Sequence, residues 1–219
     1  MIRKVEVVPH DPNWLNLFET ESKQIAIALG ENVIEINHVG STSIETIYAK
    51  PIIDILVEVK SIAQVDDQNS SMQLFGYQCM GEFGIEGRRF FLKDNLAGVR
   101  THHVHVFEAD SSQITRHLAF RDYLDTHLED AESYSILKRS LADKYPNDIE
   151  RYMDGKHDLI QEIDRKAAEW KMKNQSKLKD LQAQNLSLAT TMIQSQGEIA
   201  TNGWVVAESK TKLKLDNGS

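Results

Sequence analysis

The stretch His38-Val39-Gly40-Ser41-Thr42-Ser43, followed by Lys50-Pro51-Ile52-Ile53-Asp54-Ile55-Leu56-Val57-Glu58-Val59, constrains the fold of this chain more than any other. Val33 to Val39 reads as a strand that enters a Gly-Ser turn, with a short helix or turn over 42–49. Pro51, tolerated at a strand's first position, opens a second strand through Val59. Small residues at such a turn let backbone N–H groups approach a phosphate closely. On the second strand Ile53, Ile55, Val57 and Val59 share a core face, whereas Asp54 lies on the other face with Ile52, Leu56 and Glu58. An unpaired carboxylate in the interior is costly, so Asp54 requires a cation, a donor or an open cleft beside it. Phosphate chemistry is one reading of this pairing. The other is structural: Asp54 in a salt bridge, and Gly40-Ser41-Thr42-Ser43 as a turn running into a helix cap. Glu58 reads as a solvated acid at the strand's end.

Composition narrows the partners. With 219 residues the chain can fill one core, or one domain plus an appendage. A net charge of −8 argues against nucleic acid as the main partner. The one cysteine, Cys79, excludes an internal disulfide and fits a reducing compartment. No segment approaches the roughly 18 apolar residues of a membrane span, and the expected location is cytoplasmic.

Elsewhere the pattern is strands first and helices last. Residues 2–8 alternate weakly, as a short strand would. Asp11-Pro12 starts a helix with Leu15, Phe18, Ile25 and Leu29 on one face, and Gly30 stops it. Residues 61–75 read as helix, then Tyr77–Phe83, Arg88–Lys93 and His102–Phe107 as strands. After Ser112 three helical faces follow, marked by Ile114, Leu118 and Leu124, by Tyr134, Leu137 and Leu141, and by Tyr152, Leu159, Ile163, Ala167 and Trp170. Strands and helices that do not alternate indicate an α+β fold. Residues 1–170 form the expected domain. Residues 171–219 are polar, read as a helix fraying into a disordered tail, with Trp204-Val205-Val206 as the apolar cluster.

Other residues suit phosphate or proton chemistry. His103 and His105 fall on one face of their strand, placed to ligate a metal, bind phosphate or move a proton. Packing within the sheet is the plainer account of each. Gly81, Gly84 and Gly87 precede Arg88-Arg89 without a Gly-Lys-Ser/Thr, so they are no P-loop and read as a hairpin turn in preference to a phosphate cradle. Arg88 and Arg89 have the fork geometry for an anionic ligand. Cys79 reads as buried and inert, and Asp154, Lys156, His157 and Asp158 as a solvated helix face.

Taken together, Trp14, Phe18, His38-Val39-Gly40-Ser41-Thr42-Ser43, Ala49-Lys50-Pro51-Ile52-Ile53-Asp54-Ile55, Arg88-Arg89-Phe90-Phe91, Thr101-His102-His103-Val104-His105-Val106, Phe120-Arg121-Asp122-Tyr123-Leu124, Tyr134, Leu137-Lys138, Tyr152 and Lys156 resemble the GrpB family over roughly residues 3–170. That family is similar to the nucleotidyltransferase superfamily and to the C-terminal extension of some dephospho-CoA kinases, whose P-loop this chain does not have. The resemblance implies a nucleotidyltransferase-like mixed sheet with flanking helices and a C-terminal helical region. It implies that Gly40 and Ser41, with Thr42 and Ser43, bind nucleotide phosphates and that Asp54 holds Mg²⁺. His103 or His105 would be a base or phosphate ligand, near where the superfamily often places a third acid, with Lys50, Arg88, Arg89 or Arg121 neutralising charge. The pattern also departs from the superfamily's. Leu56 stands where the second acid is expected, and Glu58 lies about 7 Å further along the strand from it. The family's Val-Pro-Gly-Leu turn is here Ile44-Glu45-Thr46-Ile47, which would bring Glu45 toward the site.

Three functions fit these residues. One is a Mg²⁺-dependent nucleotidyltransferase acting on a nucleotide or other phosphorylated small molecule. A second is a catalytically silent nucleotide-binding or accessory module of the same fold, supported by Leu56. The third is a metal-dependent phosphohydrolase using the His pair.

Overall fold

The computed structural model describes residues 4–215, with side chains through Leu186. It divides into two units, Met1–Lys171 and Met172–Ser219.

The first unit is built on a five-stranded mixed sheet. Helix α1 (Asn13–Leu29) comes first, with the Asp11 carboxylate accepting from the Asn13 N–H at 2.9 Å. Strand β1 (Val33–Val39) pairs antiparallel with β2 (Ile53–Val59). Short helices α2 (Ile62–Asp67) and α3 (Asn69–Leu74) lead to β3 (Tyr77–Cys79), β4 (Arg89–Asp94) and β5 (Arg100–Glu108). In space the order is β1-β2-β5-β4-β3, with β2 and β5 parallel and the other pairs antiparallel. Helices α4 (Ser112–Thr126), α5 (Leu128–Lys144), α6 (Ile149–Asp154) and α7 (His157–Leu215) complete the chain. The α+β class is the one the sequence pattern indicates, and the mixed sheet with flanking helices is the one the resemblance implies.

Period-two alternation divides the sheet's faces. Ile53, Ile55, Val57 and Val59 of β2 pack with Val104, Val106 and Phe91, and Trp14, Ile25, Leu29, Val65 and Met72 from α1, α2 and α3 cover them. On the opposite face Leu56 is sealed with Val39, Phe107 and Ile114 of α4. Ile44 and Ile47, fully buried, tie the loop after β1 to α4, α5 and the first turns of α7.

Several elements differ from the sequence expectation. The strand at 2–8 reduces to one bridge between Val8 and Ala49. The strand expected over Tyr77–Phe83 ends as a regular ladder at Cys79: Met80 and Gly81 still bond to Phe90, but Gly81, Phe83, Gly84 and Gly87 have left-handed backbone that turns the chain out of the sheet. The 61–75 helix is two helices, broken at Gln68. Glu45 is exposed and does not enter the cleft described below, since the flanking isoleucines hold that loop against the helices. Cys79 is half-buried, its thiol pushed up by burial.

In the second unit the described backbone is the continuation of α7, with Met172, Leu178, Leu181 and Leu186 exposed. The Trp204-Val205-Val206 side chains and the expected fraying at the chain's end lie outside the described residues. No helix among the described residues is long and apolar enough to cross a membrane.

Candidate functional site

Register brings the site together. Parallel pairing of β2 with β5 sets Asp54 beside His103 and Leu56 beside His105. All four side chains point to the face away from the α1–α3 layer. Just past β1, Gly40 turns the chain with φ +72°, and a Cβ built there would lie 2.4 Å from Asp54 Oδ2. Only glycine fits, because the backbone is left-handed and the carboxylate occupies the space. Thr42 and Ser43 shape this turn from within. Ser43 Oγ donates to the Gly40 carbonyl at 2.7 Å, and Thr42 Oγ1 donates to the Ile52 carbonyl at 3.3 Å and lies 3.0 Å from His38 Nε2. Burial pushes His38 down to about 4, so the ring is neutral at physiological pH.

Asp54 is about 29% exposed, opening into a cavity of about 470 Å³. His103 Nδ1 lies 3.0 Å from its Oδ1 and His105 Nε2 lies 3.9 Å away. Burial acts to raise the Asp54 pKa, but hydrogen bonding and charge from the two histidines outweigh it and hold the carboxyl well below the usual carboxylate range. Burial depresses the His105 pKa, against the attraction of Asp54. Arg88 NH1 lies 3.3 Å from His105 Nδ1. A guanidinium only donates, so Nδ1 accepts and the His105 proton sits on Nε2, toward Asp54.

Lysine charge faces this carboxylate. Lys138 of α5 is 2% exposed and donates to Ser41 Oγ at 2.8 Å, with its ammonium 4.3 Å from the Tyr134 ring centroid. Burial first, then the neighbouring charges of Lys156 and Lys50, bring its pKa down to about 7, while Asp54 acts to raise it. Lys156, between α6 and α7, is 6% exposed and lies 4.6 Å over the Tyr152 ring. Its pKa falls to about 8, again chiefly by burial. Lys50 stands 5.3 Å from the same ring and borders the cavity. Among the described residues the cavity therefore has Lys50, Arg88, Lys138 and Lys156 around one acid, Asp54.

The sequence candidates divide accordingly. Gly40, Ser41, Lys50, Asp54, Arg88, His103 and His105 all border the cavity. Thr42, Ser43, Arg89 and Arg121 do not: Arg89 pairs with Asp66 at 2.6 Å, and Arg121 with Asp122 at 2.7 Å and the His38 carbonyl at 3.0 Å. Arg88 borders it with its nitrogens committed to His105 and to the Glu82 and Phe83 carbonyls. Lys156 corrects the expectation of a solvated face: Asp154, His157 and Asp158 are exposed, but Lys156 turns inward. Lys138 carried no role in the sequence reading. A lysine between Leu137 and Arg139 on an amphipathic helix reads as a surface residue, and nothing local shows that it turns inward.

Asp54 is the expected holder of Mg²⁺, and these residues do not fit a two-metal centre. Such a centre uses several carboxylates to hold ions about 4 Å apart, and a hard cation prefers oxygen donors. Here Asp54 already faces two histidines, Leu56 is 0% exposed within an apolar cluster, and buried lysines occupy the surroundings. No group of three His, Cys, Asp or Glu side chains among the described residues is arranged to hold a metal ion.

A family model described as GrpB protein matches residues 4–166. The UPF0157 protein YqkA of Bacillus subtilis is 43% identical over 77% of this chain and 49% of its own length, so the chain spans about half of that relative. The crystal structure of the conserved protein GrpB from Enterococcus faecalis superposes with a TM-score of 0.73 at 40% identity, covering 76% of this chain and 99% of that one. A dephospho-CoA kinase of Mycolicibacterium paratuberculosis is 23% identical over 76% of this chain and 46% of its own length. A fainter likeness, TM-score 0.41 at 9% identity over 61% of this chain and 45% of the other, is to the Cid1 poly(U) polymerase, and it carries nothing for the chemistry.

Proposed function

Because this chain belongs to the GrpB family, and its cleft sets lysine charge around a single acid, we propose that it binds a nucleotide or another phosphorylated small molecule there. The observation that carries this reading is the convergence of buried Lys138 and Lys156 with Lys50 and Ser41 on the cavity that holds Asp54. Buried ammonium groups are expensive in isolation, and an arriving phosphate dianion supplies the missing counter-charge. Ser41, bonded to Lys138, then positions its ammonium for the ligand. Asp54 keeps the histidine pair oriented and prevents the lysines from discharging completely. With charge neutralised by lysine, the module holds its ligand without a two-metal centre, and Leu56 is the feature that favours binding over metal-assisted transfer. Cys79 as the sole cysteine suits a reducing, cytoplasmic setting for it.

Titration calorimetry with nucleoside triphosphates, with and without Mg²⁺, tests this directly. Lys138→Met is expected to weaken binding at least tenfold, whereas Asp54→Asn retains binding in the absence of Mg²⁺. Binding that requires Mg²⁺, disappears in Asp54→Asn and survives in Lys138→Met would overturn the lysine reading in favour of metal on Asp54.

A further inference from the structure

Resting on that reading of the cleft, we propose that Phe83 is a stacking platform for a planar ring on the ligand, so that the site selects nucleoside phosphates over base-free phosphates. Phe83 borders the same cavity as Lys138 and Asp54. It is 58% exposed, which leaves an aromatic surface open beside the cleft. Its backbone is left-handed, φ +46°, a conformation that bulky residues avoid. A strained, exposed aromatic at a cleft is a hypothesis of function rather than of packing.

The ring is presented rigidly. It lies nearly parallel to Phe90, with centroids 5.4 Å apart and planes at 22°, and the Arg88 guanidinium caps Phe90 at 4.5 Å. Arg88 also fixes the loop backbone, donating to the Glu82 carbonyl at 3.2 Å and the Phe83 carbonyl at 2.7 Å. The Glu82 carboxylate closes the loop by accepting the Gly87 N–H at 2.8 Å. Phe90 in turn pairs with His105 across β4 and β5, so the platform and the Asp54 cluster share one rigid support. A cavity of about 470 Å³ is within the range of small-molecule sites, about 300–1,000 Å³. A ring already stacked on one aromatic, with surface left open, adds a planar base as the next layer without reorganising.

Calorimetry with the four ribonucleoside triphosphates and with inorganic triphosphate, on wild type and Phe83→Gly, reads the proposal. Stacking on an aromatic side chain is expected to give the nucleosides about a tenfold advantage over inorganic triphosphate, little dependent on the base. Phe83→Gly relieves the left-handed strain, so the protein should fold at least as well while that advantage falls to parity and inorganic triphosphate binds as before. Phe83→Leu keeps apolar bulk without a ring face and should lose the advantage too. No nucleoside preference in wild type, or a preference that persists in both variants, overturns the platform and leaves phosphate binding standing. Failure of wild type to bind either class overturns phosphate binding and the platform together.

Discussion

Gly40 and Asp54 are fitted to each other, the left-handed glycine leaving room for the carboxylate and the carboxylate filling the place of a side chain. An alanine at 40 meets two obstacles: its backbone disfavours φ +72°, and its methyl collides with the Asp54 carboxylate. With ψ −169°, this is backbone essentially only glycine uses, and each obstacle is worth about 1–3 kcal/mol. Gly40→Ala is therefore expected to destabilise the fold by about 2 kcal/mol or more, read as a lower urea midpoint with an unchanged slope. The motif around this pair was legible because an acid on an otherwise apolar strand requires a partner or an open cleft beside it. His103 and His105 were legible as a face of one strand. Lys138 and Lys156 were not, since their chemistry arises from burial, and burial comes from helices settling on the sheet's open face.

At the scale of elements, β2 sorts its residues by face, and Leu56 belongs wholly to the apolar side of its neighbourhood. Its contacts are Val39, Phe107 and Ile114, with no exposure. Restoring an acid there with Leu56→Asp would bury a carboxylate in an apolar cluster, beside a His105 already engaged by Asp54 and Arg88, a loss of about 3–5 kcal/mol. The expected result is a melting temperature lowered by many degrees and not recovered by Mg²⁺, checked by thermal unfolding with and without the ion. The same strand's alternation was readable because its period is two and its core residues are β-branched. The loop at 44–47 was less so: Ile44 and Ile47 look like any apolar residues in a turn, and only α4, α5 and α7 closing over them decide that Glu45 faces solvent. The helix expected over 61–75 breaks at Gln68, a residue with no glycine or proline to announce it. Long-range packing sets both outcomes.

At the scale of the whole molecule, every apolar-cluster residue among the described residues lies at or before Trp170. A chain ending at Lys171 is therefore expected to melt within a few degrees of the full chain and to keep the ligand affinity, measured side by side. The cleft's lysines couple stability and binding to pH in opposite senses. In the folded state Lys138 titrates near 7 and Lys156 near 8, against about 10.4 for an unfolded lysine. Between those values the unfolded chain binds more protons, so stability rises as pH increases. Below pH 7 both states carry the charges and this contribution is flat. Phosphate binding needs the ammonium forms and should weaken over the same interval, with protons taken up on binding. Comparing pH 7 with pH 9 stays below the titration of the tyrosines and of unfolded lysine. The urea midpoint should rise while affinity for inorganic triphosphate falls, and in Lys138→Met both slopes should shrink together. A midpoint and an affinity that move in the same direction would mean that the lysines do not hold the ligand, because discharging an ammonium that grips phosphate must weaken binding as it relieves the folded state.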